Sequence, residues 1–71
     1  MYKIYTQINC EYCDKAKDLL KEKNLKYKEI LVNNDEEAKS FLKERNLKTV
    51  PQIWREDIHI GGWTELALNL K

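Results

Sequence analysis

Apolar positions recur along this chain with two periods, and the switches between them mark its elements. Tyr2-Lys3-Ile4-Tyr5 is a short aromatic and β-branched run, closed by the polar break Thr6-Gln7-Ile8-Asn9. It reads as strand β1 over Met1–Tyr5, with no polar face clean enough for a sheet edge. Cys13, Ala16, Leu19 and Leu20 then recur at helical steps, predicting helix α1 from about Cys10 to Lys23 with Asn24 as its stop. Tyr27–Val32 reads as β2, bounded by the turn residues Asn33 and Asn34. Asn34 is the expected N-cap of α2, with Asp35, Glu36 and Glu37 where the helix dipole favours acids. Its apolar face is Ala38, Phe41 and Leu42, with Leu47 beyond its end.

After Thr49-Val50-Pro51 the period shortens. Gln52–Arg55 and Ile58–Ile60 predict an antiparallel hairpin, β3 and β4, turning at Glu56-Asp57. Gly61-Gly62 breaks the second strand, and Trp63–Leu70 forms a short α3 carrying Leu66, Ala67 and Leu70. The order is βαβαββα, an α/β chain. Its β1-α1-β2 spacing is that of a right-handed crossover, which makes β1 and β2 parallel neighbours.

Length limits this pattern to one small domain, residues 1–71, near the lower bound for a self-sufficient core. Thirteen basic and 12 acidic residues leave a net charge of +1, and they interleave, as in Lys21-Glu22-Lys23 and Lys43-Glu44-Arg45. Interleaved charge is the pattern of solvated helix faces, and no basic stripe for nucleic acid emerges. No apolar run reaches membrane-spanning length, and the N-terminus lacks a signal-peptide pattern. Two cysteines are too few for a secreted disulfide framework. These features together point to a cytoplasmic protein.

The candidate chemistry is Cys10-Glu11-Tyr12-Cys13, where a strand hands over to a helix. Cys10 falls at the helix N-terminus, whose unpartnered N–H groups and dipole stabilise a thiolate. Cys13, one turn on, is close enough to attack a mixed disulfide formed at Cys10. A C-x-x-C beside a βαβ pattern therefore reads as a thiol–disulfide site. Two other readings stand beside it: half-buried structural cysteines, and half of a zinc site, for which His59 is the one distant histidine. His59 itself, between Ile58 and Ile60, is expected to face solvent. Glu11 shares the first turn with Cys10, so it is expected to make that thiol less acidic.

With these residues in place, the chain resembles the glutaredoxins, small members of the thioredoxin superfamily. The resemblance is carried by Ile4-Tyr5-Thr6, by Cys10 and Cys13 with Tyr12 between them, and by Asp14-Lys15-Ala16-Lys17. It continues in Thr49-Val50-Pro51-Gln52-Ile53 and His59-Ile60-Gly61-Gly62, and so runs through essentially the whole chain. It implies a thioredoxin-like fold, a four-stranded mixed sheet flanked by three helices, with a cis Val50–Pro51 bond beside the dithiol. It also implies a glutathione-disulfide oxidoreductase with a redox-active Cys10–Cys13 pair and glutathione as co-substrate rather than bound cofactor. The implied glutathione groove comprises Gln7, Tyr12, Thr49, Val50, Pro51, Gly62, Trp63, Thr64 and Glu65, with the Val50 backbone pairing to the cysteinyl part. Disulfide-containing proteins, such as ribonucleotide reductase, are the implied partners of a monomer.

Alternatives within the same resemblance are a redoxin fed by thioredoxin reductase and a carrier of a [2Fe–2S] cluster. Two positions depart from the family pattern. Gln7 stands where many relatives have Lys, and Trp63-Thr64-Glu65 stands where a pair of Asp is common. Both changes remove charge that would hold glutathione, so weaker binding of it is expected.

Overall fold

A computed structural model describes residues 1–70, so the last residue of the expected 1–71 domain lies outside it. The strands are β1 (Tyr2–Thr6), β2 (Tyr27–Leu31), β3 (Gln52–Arg55) and β4 (Ile58–Gly61). They form one mixed sheet in the order β2-β1-β3-β4. β1 runs parallel to β2 and antiparallel to β3, and β3 pairs antiparallel with β4. The helices are α1 (Glu11–Glu22), α2 (Glu36–Glu44) and α3 (Trp63–Asn69). This is the expected thioredoxin-like arrangement.

β1 sends side chains into a core on each face, with only Lys3 exposed, which is why it showed no clean polar side. Tyr2 and Ile4 point into a core with Ala16, Leu20, Ile53 and Leu66, so α1 and α3 cover one face of the sheet. Tyr5 points the other way, into a core with Val32, Ala38 and Leu42 under α2. Ile4, Leu20, Ile53 and Leu66 are completely buried. Each such side chain contributes roughly 1.5–3 kcal/mol relative to exposure, more than any of the exposed ion pairs on the helices, at about 0–1 kcal/mol. The second face is aromatic. Tyr5 stacks on Phe41 with centroids 5.2 Å apart, Trp54 meets both rings edge-on, and the Arg45 guanidinium lies 3.6 Å over Phe41.

Both long helices stop in the same way. Asn24 and Asn46 take φ of 58°, a left-handed conformation that Asn tolerates. The following Leu25 and Leu47 N–H groups reach back to the Leu20 and Leu42 carbonyls, each at 2.9 Å. That is a Schellman closure with Asn in the usual glycine position, and its apolar Leu packs onto a core.

The structure corrects several boundaries. The N-cap of α2 is Asp35, whose Oδ1 accepts the Ala38 N–H at 3.0 Å, and not Asn34. A 3₁₀ turn, Val32–Asn34, intervenes because Val32 leaves β2 to be buried under α2, which displaces the cap by one residue. β1 runs Tyr2–Thr6 rather than Met1–Tyr5, and β2 stops at Leu31. β4 extends into Gly61, which pairs with Ile53 past an irregularity in register, so the first glycine ends the strand rather than lying outside it. α3 ends at Asn69, one residue early. The hairpin turn works without Asn-Gly because Glu56 takes φ of 54°. His59 is exposed but not free. Its ring stacks on Trp54 at 4.4 Å and its Nε2 lies 2.9 Å from Gln52 Oε1, because the antiparallel register sets it beside Trp54.

Candidate active site

Cys10 is the N-cap of α1. Its extended backbone, φ −113° and ψ 103°, turns the side chain back over the first helical turn, and its sulfur accepts the Cys13 N–H at 3.1 Å. The loop that delivers it is held at two points. Asn9 adopts φ of 58°, and the Ile8 N–H donates to Asn33 Oδ1 at 2.9 Å. The two sulfurs are joined in a disulfide, with Cα atoms 5.2 Å apart. Their surroundings differ. Cys10 is half-buried and opens onto the surface, whereas Cys13 is 1% exposed, on the face of α1 that carries Ala16 and Leu20. An incoming thiolate therefore meets Cys10.

The second wall comes from the loop before β3. The Val50–Pro51 bond is cis, and the Val50 carbonyl oxygen lies 3.9 Å from the Cys10 sulfur. A disulfide sulfur has no proton to donate, so this is a van der Waals contact rather than a hydrogen bond. The contact follows from topology, because β3 lies beside β1 and brings its leading loop to the end where α1 begins.

Two adjoining grooves flank the disulfide. One is lined by Gln7, Asn9, Cys10, Glu11, Tyr12, Lys48, Thr49 and Val50, over Val32 and Leu42. The other is lined by Tyr12, Thr49, Val50, Pro51, Gly62, Trp63, Thr64 and Glu65. Tyr12, Thr49 and Val50 belong to both, and the nine residues that the resemblance assigned to a groove all line one or the other. Within the second groove, Gly62 has a specific reason to be glycine, since a Cβ there would sit 3.3 Å from the Pro51 carbonyl oxygen. Glu65 is already engaged. Its carboxylate accepts the Gly62 N–H at 2.7 Å and its side chain fills the space beside Gly61, so it caps α3 from the groove wall.

Lys48 was missed from the sequence. Among the described residues it is the one cation lining the first groove, where Gln7 supplies none, and its place directly before Thr49-Val50-Pro51 was the available signal. Glu11 has a cation beside it. Its side chain is 80% exposed, and Lys15 lies 3.9 Å away on the next turn while also sitting 5.2 Å from the Tyr12 ring centroid.

Behind the disulfide, α1 is fastened to the sheet by polar contacts. Thr6, fully buried at the end of β1, donates to Glu29 Oε2 at 2.7 Å, and Lys17 donates to the same oxygen at 3.0 Å. The Thr6 hydrogen bond and then Lys17 hold the Glu29 carboxyl below its usual range, against partial desolvation. Glu29 in turn raises the Lys17 ammonium. Among the described residues, no cluster of three or more His, Cys, Asp or Glu side chains could hold a metal ion, so the intrachain zinc reading finds no further ligands.

A family model described as Glutaredoxin matches residues 3–60. Glutaredoxin 1 of Rickettsia felis is 53% identical over 62 residues, covering 83% of this chain and 61% of the relative. The chain thus matches less than two-thirds of that relative's length. The crystal structure of glutaredoxin 1 from Francisella tularensis, complexed with cacodylate, superposes with a TM-score of 0.83 at 38% identity, covering 96% of this chain and 88% of that one. The glutaredoxin-like NrdH-redoxin of Escherichia coli shares the fold at a TM-score of 0.85 and 22% identity, over 96% of this chain and 90% of its own.

Proposed function

The chain belongs to the glutaredoxin family, and we propose that it is a dithiol glutaredoxin, a glutathione-dependent reductase of protein and small-molecule disulfides. The observation that carries this reading is the asymmetry of the pair. A half-open Cys10 sulfur sits under a helix-cap N–H, bonded to a buried Cys13, with the Val50 backbone alongside. Reduction starts when a glutathione thiolate attacks Cys10, breaking the Cys10–Cys13 bond and leaving Cys13 as a thiolate that takes up a proton. A second glutathione thiolate attacks the glutathionyl sulfur, releasing glutathione disulfide and the Cys10 thiolate. That thiolate, stabilised by the Cys13 N–H and the helix dipole, attacks a substrate disulfide and expels one thiolate. Cys13, deprotonated, then attacks Cys10, expels the second thiolate and restores the disulfide.

Glutathione would lie across both grooves, its cysteinyl backbone paired with Val50 in the manner of an added strand. Lys48 supplies a partner for one of its carboxylates in the first groove, and Thr64 offers a hydroxyl in the second. Such a reaction belongs in a reducing compartment, for which we propose the cytoplasm. The test is NADPH-coupled reduction of a small disulfide, run with glutathione and its reductase and separately with thioredoxin reductase. Turnover in the glutathione arm is the expected result. Turnover in the thioredoxin reductase arm alone would replace this reading with that of a redoxin independent of glutathione.

A further inference from the structure

Gln52 is one of two buried polar side chains among the described residues, 6% exposed, and it stands immediately after the Val50–Pro51 corner. Its amide Nε2 donates to the Thr49 carbonyl at 3.0 Å and to Thr49 Oγ1 at 3.2 Å. Its Oε1 faces His59 Nε2 at 2.9 Å. A carbonyl oxygen can only accept, so the NH₂ group must face Thr49 and the amide oxygen must face His59. His59 then carries its proton on Nε2, and stacking on Trp54 at 4.4 Å fixes the plane of its ring. A hydrogen-bonded path thus runs from the exposed strand β4 to the loop beside Cys10.

We infer that Gln52 and His59 are positioning residues that aim the Val50 N–H at the ligand groove. The peptide joining Thr49 to Val50 is trans, since Val50–Pro51 is the one cis bond among the described residues. In a planar trans peptide the C=O and N–H point in opposite directions. Tying the Thr49 carbonyl inward to Gln52 therefore turns the Val50 N–H outward, along a wall shared by the two grooves. The Val50 carbonyl, set by the next peptide, lies at the Cys10 sulfur. One residue then presents a donor and an acceptor to an extended backbone, as strand addition requires. His59 acts by fixing which end of the Gln52 amide faces Thr49. This inference rests on the proposed glutathione reading for its ligand, but the aim of the peptide is independent of it.

Two variants test it, each followed by kinetics and by the amide NMR resonance of Val50. Gln52→Met removes both ends of the bridge at similar volume. His59→Phe keeps an aromatic ring against Trp54 and removes only the donor, at an exposed site where folding is not at issue. With the mixed disulfide of cysteine and glutathione as substrate, Gln52→Met should raise KM about tenfold, the equivalent of one ordinary hydrogen bond, with kcat changed less than about twofold. His59→Phe should raise KM in the same direction by less. In both, the Val50 resonance should shift or broaden while that of Ile4 in β1 stays in place. An unmoved Val50 resonance in both variants, or equal losses in kcat and kcat/KM without a rise in KM, would overturn the assignment. If the wild type fails to turn over the mixed disulfide while Val50 responds as expected, the glutathione reading falls and the positioning role stands.

Discussion

Helix α1 opens with the Cys10 sulfur accepting the Cys13 N–H at 3.1 Å, and α2 opens with the Asp35 carboxylate accepting the Ala38 N–H at 3.0 Å. The two helices also share acids in the first turn and the same Asn-Leu closure. Their local anatomy is nearly one pattern used twice. What separates them is the capping atom and what faces it. A carboxylate at a cap satisfies an orphan N–H and stabilises the helix. A sulfur there satisfies the same N–H less well, but it can be a nucleophile, and at Cys10 a carbonyl and two grooves stand opposite it. The comparison teaches that a helix N-terminus is a structural device by default. It becomes a reactive site only when the cap is titratable and the fold leaves it room.

Exchanging the caps' roles gives the largest effect. Cys10→Ser keeps an oxygen acceptor, a better cap than sulfur, so the variant should be at least as stable as reduced wild type while disulfide reduction drops to background. Cys13→Ser should keep glutathione-dependent turnover and accumulate a mixed disulfide at Cys10, visible by intact mass. Retained activity in Cys10→Ser would remove the nucleophile assignment and, with it, the contrast between the helices.

The converse change is Asp35→Ala. It should lower stability by about 1 kcal/mol in denaturant unfolding, as for other lost caps, and leave turnover intact. A loss of turnover out of proportion to stability would mean that α2 takes part in the site.

A smaller effect sharpens how α1 is anchored, since α2 has an aromatic stack against the sheet where α1 has Glu29 between Thr6 and Lys17. Glu29 has its pKa lowered on folding, so it stabilises above the ordinary carboxylate range and that contribution fades as pH falls through the lowered value. Lys17 has its pKa raised, so its contribution is full below the ordinary lysine value and fades as pH rises through the raised one. Glu29→Gln should therefore melt below wild type at neutral pH, with the gap closing in acid. A gap that is constant with pH would show that the contact is one of packing and not of charge.

The smallest expected effect concerns Glu11. Its carboxylate competes with the Cys10 thiolate for the helix N-terminus, but it is exposed and partly offset by Lys15. Glu11→Gln should lower the Cys10 pKa by less than about one unit, a range set by the modest worth of exposed charge pairs. Thiolate absorbance against pH measures the shift, which should shrink with salt. Lys15→Gln should move it upward.

The sequence by itself determined the elements, their order, the Cys10 cap and the placing of Cys10 and Cys13 one turn apart at the start of α1. Those features depend on periodicity and on hydrogen bonds spanning three to five residues, so the residues concerned are neighbours in the chain. The boundary errors have the same origin in reverse. Asn34 lost the cap to Asp35 because Val32 had to be buried under α2, a tertiary demand that no local pattern expresses. The contact of Val50 with Cys10 joins residues 40 apart and exists because β3 lies against β1. Resemblance pointed to that pairing, but periodicity could not. Only tertiary structure set Lys48 in the groove with Gln7 and tied His59 through Gln52 to Thr49. Each of these depends on which strands and loops become neighbours, and that is settled by burying both faces of β1 at once.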